Sequence, residues 1–559
     1  MMQKNKIIVY QVFVRHFAKN KGKNMPNGTI KENLCGKFNV FSTKALESIK
    51  NLGVTHIWFT GVIEHSSQSS CPELNITGDS PDIVKGKAGS PYSIRDYYDV
   101  CADLAENPQK RMQEFENLAV RTHKEDLKVI IDFVPNHVSR VYHSDVSTFE
   151  DLGASDDQTK SFSPENNFYY FPNEKFSPQF QLTDYEEFPA RATGNDCFTP
   201  YPTQNDWYET VKLNYGVDYQ NNRTEYFNPV PDTWLKMRDI LFFWAKKGVD
   251  GFRCDMAQMV PVAFWHWAIG AVKRQFPHII FIAEIYIPEL YKNYLNYGKF
   301  DFMYDKVGLY DTLRGVVCGY LPAKNISSCW QNLGEIQPFM LNFLENHDEQ
   351  RIASDFFAKT PNAAKPAMIV AACLNTSSAM IYAGQELGEK GMDCEGFSGL
   401  DGRTSIFDYW QPDTLSRWID NGKFDLKNLT VEEKELRKYY MKIFNLCHTQ
   451  KAISNGLFFD LMYVNIDNQK FNAEKCFAFL RKYKNEVLLI VANFSDKKQK
   501  LGIKIPRHAF DFMQISQKET VLVKDLISGR KFVCDFSENS LSQVEIDGFN
   551  GMIIKAQNK

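Results

Sequence analysis

Residues 249–255 read Val-Asp-Gly-Phe-Arg-Cys-Asp, and this short run decides the fold. A stretch of helical period from Trp234 to Lys247 leads into it, Gly248 closes that helix, and a second helical stretch follows at 262–274. A brief strand between two helices is the repeating element of a parallel sheet, whose strands need crossover connections. Side chains on a strand alternate faces, so Arg253 and Asp255 share one side and Phe252 and Cys254 the other.

The rhythm continues in both directions. Ile7–Val14, 56–63, 128–137, 249–255, 278–286, 300–305, 339–348 and 378–386 are eight β-rich runs, and helical periods separate most of them. Eight such units predict an α/β chain closed into a (β/α)8 TIM barrel. The long gap at 138–215 interrupts the pattern. It is rich in Asn, Asp, Pro and aromatics, and a structureless loop of that length is rare, so it reads as a small inserted domain after strand 3. Beyond 450, alternation at 476–483, 486–494, 520–527 and 551–556 predicts a C-terminal all-β sandwich domain. The expected organisation is barrel at 1–137 and 216–450, inserted domain at 138–215 and β domain at 451–559.

The chain has 559 residues and a formal charge of -3, which gives no reason to expect nucleic acid or an acidic membrane surface as partner. Its most apolar stretches, 260–272 and 367–374, are too short to span a bilayer. The twelve cysteines show no metal-like spacing, and the amino-terminal apolar run carries no cleavage signal, so a cytoplasmic location is expected.

In a parallel barrel the reactive groups lie at the carboxyl ends of the strands. Strand 3 ends Asp132-Phe-Val-Pro-Asn136-His137, strand 4 supplies Arg253 and Asp255, strand 5 ends at Glu284, and strand 7 ends Asn346-His347-Asp348. Singly, each is as well explained as a turn former or a buried ion pair. Together they bring three carboxylates, two histidines and a guanidinium to one mouth. The cation beside Asp255 is expected to lower its pKa, and the apolar neighbours of Glu284 to raise that of Glu284. One charged and one neutral carboxyl is the pairing that cleaves a glycosidic bond with retention.

These segments resemble the signature regions of the alpha-amylase family, glycoside hydrolase family 13: DFVPNH, GFRCD, AEIY and ENHD, with SPYSIRDYYDV and YAGQELG on either side. The resemblance runs over roughly residues 7–450. It implies Asp255 as nucleophile, Glu284 as general acid/base and Asp348 as a third carboxylate that grips and distorts the reacting sugar. It implies that Arg253 orients Asp255, that His137 and His347 hydrogen-bond that sugar, that Tyr92 stacks beneath it, and that Asp132 braces Arg253. The substrate implied is a starch-like glucan or maltodextrin. The chemistry needs no cofactor, although the resemblance places calcium at Asn136. The same family holds transferases, phosphorylases, isomerases and non-catalytic sugar-binding homologues. Two departures bear on that choice. Met256-Ala257-Gln258-Met259 replaces the Lys–His pair that many members place after the nucleophile, and Ser93 follows Tyr92 where exo-acting members carry Asp. The aromatics at 168–171 and 198–208 are candidates for outer sugar contacts or for the inserted domain's own core.

Overall fold

A computed structural model describes residues 6–538 and 540–556. The first five and last three residues of the expected outer domains therefore lie outside it. Eight parallel strands close into a barrel: β1 Ile8–Phe13, β2 His56–Thr60, β3 Lys128–Phe133, β4 Gly251–Cys254, β5 Ile280–Ala283, β6 Phe302–Tyr304, β7 Met340–Asn342 and β8 Ser378–Tyr382. Each strand pairs with its sequence neighbour and β8 pairs with β1, as a (β/α)8 barrel requires. The observed strands are shorter than the apolar runs because the polar residues that end those runs turn into the loops.

The alternation read from the sequence sorts side chains into two layers. Val9, Trp58, Ile130, Ile282, Tyr304, Leu341 and Met380, one from each of seven strands, pack inside the barrel. Phe252, Cys254, Phe133 and Phe281 belong to the much larger apolar layer between strands and helices. The helix Asp232–Lys246 buries Trp234, Met237, Ile240, Leu241 and Trp244 against that layer. Gly248 closes the connection with a φ of +91°, a left-handed conformation that costs glycine least.

After β3 the chain makes short antiparallel pairs, His137–Ser139 with Thr210–Lys212 and Tyr170–Phe171 with Ala190–Arg191. Ile83, Phe176 and Ala190 form a small apolar cluster there. The cation of Arg140, paired with Glu187 at 2.8 Å, lies over the Phe176 ring. The carboxy-terminal part is a six-stranded antiparallel sheet with a separate two-stranded pair, Gln499–Lys504 with Leu541–Ile546. Strands Cys476–Tyr483 and Glu486–Asn493 form its buried centre. Buried Arg481 reaches from this sheet to the carbonyls of Leu374, Ala452, Ile453 and Gly456, tying it to the barrel's last helices. Among the described residues no helix is long and apolar enough to cross a membrane.

Candidate active site

The carboxyl ends of β3, β4, β5 and β7 deliver the predicted residues to one place. The β-ladder continues past the strand ends, with Asp255 N–H donating to the Phe133 carbonyl at 2.9 Å and Glu284 N–H to the Cys254 carbonyl at 3.1 Å. The backbones of Asp255 and Glu284 therefore lie side by side. Arg253 points into the barrel and is fully buried. Its Nη1 is 2.7 Å from Asp255 Oδ1 and its Nη2 is 2.6 Å from Glu284 Oε1, so one guanidinium bridges both carboxylates. Asp132 completes the surround at 3.6 Å, and the Tyr304 hydroxyl accepts from Arg253 Nε at 3.2 Å. Asp132 is itself held by the Trp58 indole N–H at 3.0 Å.

After β7 the Asn346 side chain accepts the backbone N–H groups of Asp348 and Glu349, each at 2.9 Å. That turn leaves the Asp348 carboxyl half-exposed, 3.2 Å from His347 Nε2. His347 lies under the Tyr92 ring with centroids 5.2 Å apart, and its Nε2 also meets the Tyr92 hydroxyl. The Gln11 amide holds the other ring nitrogen at 2.8 Å. His137 sits against Trp207 of the long segment after β3, with centroids 5.1 Å apart.

One electrostatic expectation needs correction, and the surroundings of Glu284 are more polar than expected. Burial pushes the Asp255 carboxyl well above the ordinary carboxylate range, with Arg253 pulling against it and Glu284 adding to the rise. The cation is present as predicted, but burial outweighs it. The Glu284 carboxyl does not sit among apolar groups alone, because the Arg253 cation and two hydrogen-bond donors converge on it. Besides Arg253, the Tyr286 hydroxyl donates to Oε1 at 2.5 Å and the Met256 N–H donates to Oε2 at 2.8 Å. Met256 has a φ of +41°, and that left-handed turn aims its N–H at the carboxylate. Burial also raises Asp348 to about 7 and Asp132 to about 6. Burial and then Lys212 lower His137 to about 3, and burial lowers His347 well below its usual value, so both rings are neutral.

Tyr92, His137, Arg253, Asp255, Glu284, His347 and Asp348 thus surround one mouth, and Asn136 lies behind it. The Asn136 side-chain oxygen accepts from the Lys212 ammonium, and its nitrogen donates to the Gly194 carbonyl at 2.7 Å. Among the described residues no group of three or more His, Cys, Asp or Glu side chains is arranged to hold a metal ion. The sequence reading missed Gln11, Trp58, Tyr286 and Tyr304. Gln11, a lone amide in an apolar strand, and Tyr286, two residues from Glu284, were the available signals.

A profile described as alpha amylase, catalytic domain, matches residues 11–445. The chain belongs to the alpha-amylase family. Alpha-amylase 3 of Dictyoglomus thermophilum is 23% identical over 513 residues, covering 87% of this chain and 84% of that protein. A cyclomaltodextrin glucanotransferase of Bacillus licheniformis is 25% identical over 285 residues, covering 48% of this chain and 33% of that protein. Among solved structures, a maltogenic alpha-amylase, AmyB of Thermotoga neapolitana, superposes with a TM-score of 0.64 at 20% identity, covering 99% of both chains. At that identity the likeness speaks for the fold. Membership makes the chain an alpha-amylase-family enzyme of the glycosidase or related transferase type.

Proposed function

We propose that this protein hydrolyses α-glucosidic bonds in starch-like glucans or maltodextrins by double displacement, with retention of configuration. Asp255 attacks the anomeric carbon, while Glu284 protonates the departing sugar oxygen and later removes a proton from the incoming water. Asp348, His347 and His137 take the hydroxyls of the reacting ring, and Tyr92 lies against its apolar face. The observation that carries this reading is the single guanidinium shared by Asp255 and Glu284. Two carboxyl groups within reach of one planar cation favour the short separation of about 5–5.5 Å used for retention over the roughly 6.5–9.5 Å used for inversion. The test is proton NMR of the first product from maltoheptaose. An α-anomer that appears before mutarotation is expected, and Asp255→Asn is expected to abolish turnover. A β-anomer, or an Asp255→Asn variant of undiminished rate, would refute the mechanism.

A transferase reading is favoured by the segment after the nucleophile. Gln258 is a neutral amide whose side-chain oxygen accepts the Tyr286 N–H at 2.8 Å, so the segment places no cation there for a leaving chain. Incubating maltoheptaose with and without added glucose or phosphate separates the two. Longer oligosaccharides or a sugar phosphate would mark transfer, and shorter sugars alone would mark hydrolysis.

A further inference from the structure

The position next to His137 at which the family resemblance expects calcium is filled by a side chain. Lys212 is the strand partner of His137 and is 1% exposed, yet it is a cation. Its ammonium donates to Asn136 Oδ1, stands 2.7 Å from Asp196 Oδ1 and donates to the Met259 carbonyl at 3.3 Å. Those oxygens come from the loop after β3, the long segment that follows it and the loop after β4. The Asn136 amide cannot turn away, because its nitrogen is fixed by the Gly194 carbonyl at 2.7 Å and His137 Nδ1 at 3.1 Å. Calcium needs six to eight oxygens at about 2.3–2.6 Å. Here a single carboxylate faces the spot, and an ammonium already stands among the oxygens that would serve. A divalent ion would meet too few ligands and a like charge. The residues present do not fit the metal.

We propose that Lys212 is the resident cation of this position. One internal ammonium joins the long segment after β3 to the barrel, and folding requires no calcium at Asn136. Through Asn136 the same contact fixes the ring of His137, so Lys212 is also a positioning residue. Only that second effect rests on the proposed function, and thermal unfolding tests the first without it.

The experiment measures calcium content by mass spectrometry and Tm of the full chain, in excess EDTA and in millimolar calcium. The parent protein is expected to carry no stoichiometric calcium and to unfold at one temperature in both buffers. Lys212→Met keeps the apolar stem and removes the charge. It leaves Asp196 and Asn136 unpaired and is expected to lower Tm by about 2–4 °C. It should also raise KM for maltoheptaose more than it lowers kcat. A saturable calcium-dependent rise in the parent's Tm that Asn136→Ala abolishes would overturn the proposal, as would an unchanged Tm in Lys212→Met. A rise that survives Asn136→Ala places the metal elsewhere and leaves Lys212 in its role. Should Lys212→Met fail to fold, the parent's behaviour in EDTA and calcium decides the question.

Discussion

Among the described residues, Arg253 is the cation paired with Asp132, Asp255 and Glu284, and replacing it by Met removes that partner. The side chain of Arg253 is 1% exposed and those of its nearest partners, Asp255 and Glu284, are 8% and 3% exposed, so solvent cannot substitute for it. Stranding the partners of a buried cation costs about 3–5 kcal/mol, which a urea titration would register as a lower midpoint. The effect on activity has a sign of its own. Burial already raises Asp255, and Arg253 is the leading influence that lowers it. Opposite charges at this range generally lower a carboxyl by about 1–3 pKa units, and the loss of this one moves Asp255 further upward. A nucleophile must be ionised, and the ionised fraction falls tenfold for each unit that the pKa stands above the pH. At neutral pH, kcat/KM should drop by about 10- to 1,000-fold, and the loss should shrink as pH rises. The assay is kcat/KM for a chromogenic maltooligosaccharide between about pH 5 and pH 9. A loss of equal size at every pH would point to disturbed packing, and a profile superimposable on the parent's would refute the argument. Arg253→Lys keeps the charge without the fork and should fall between the two.

Three further expectations follow from individual contacts. Tyr286→Phe deletes a hydroxyl 2.5 Å from Glu284 Oε1 and should lower kcat by about 2- to 10-fold, the worth of one hydrogen bond, with KM little changed. Steady-state kinetics would show it, and a rise in KM alone would contradict it. Gly194→Ala would place a Cβ 2.4 Å from Thr210 Oγ1 and 2.8 Å from His137 Cβ, forcing the His137 ring to shift. KM for maltoheptaose should rise several-fold, and an unchanged KM would remove His137 from sugar binding. Asp348→Asn should abolish turnover yet stabilise the fold above neutral pH. The folded pKa of Asp348 is raised to about 7, so the native state holds its proton longer than the unfolded chain does, and stability falls as pH climbs from about 4 through about 7. The side chain is 36% exposed, which limits the gain to about 1 kcal/mol, readable as a urea midpoint that declines less steeply over that window.

The barrel was legible because its code is local. A strand such as 249–255 carries its own period, its own terminating glycine and its own alternation of faces, and the structure reproduces all three. Most residues brought to the mouth were legible for the same reason, since they stand at the ends of apolar runs, whereas Tyr92 rested on the family resemblance alone. Four things lay outside the local pattern. Burial is a sum over the whole fold, so the rise of Asp255 could not be read from the arginine two residues away. The turn at Met256 gives Glu284 a backbone donor from 28 residues upstream, and side-chain identity announces no backbone hydrogen bond. Lys212, between Val211 and Leu213, carries no local sequence signal of burial. Only the pairing of His137–Ser139 with Thr210–Lys212, across more than seventy residues, turns it inward. The carboxy-terminal strands 499–504, 531–536 and 541–546 escaped because they are short and mixed in polarity, and their partners are distant.

Four carboxyl groups and one guanidinium cannot all be charged at low cost in a place this dry. Burial is the largest influence on Asp132, Asp255 and Asp348 alike, and each rises although Arg253 opposes it. Near neutral pH the cluster therefore keeps proton equivalents that belong to the group and not to one residue. That differs from the picture of a nucleophile held permanently ionised by its neighbouring arginine, and it suits double displacement better. The proposed mechanism needs a proton at the mouth for the departing oxygen and a charge at the anomeric carbon in the same instant. A sugar that fills the mouth would donate its hydroxyls to Asp348, supplying hydrogen bonds that the free protein lacks and drawing that carboxyl toward its ionised form. Substrate binding would then set the charges of the site, while the buried arginine holds Asp255 and Glu284 together.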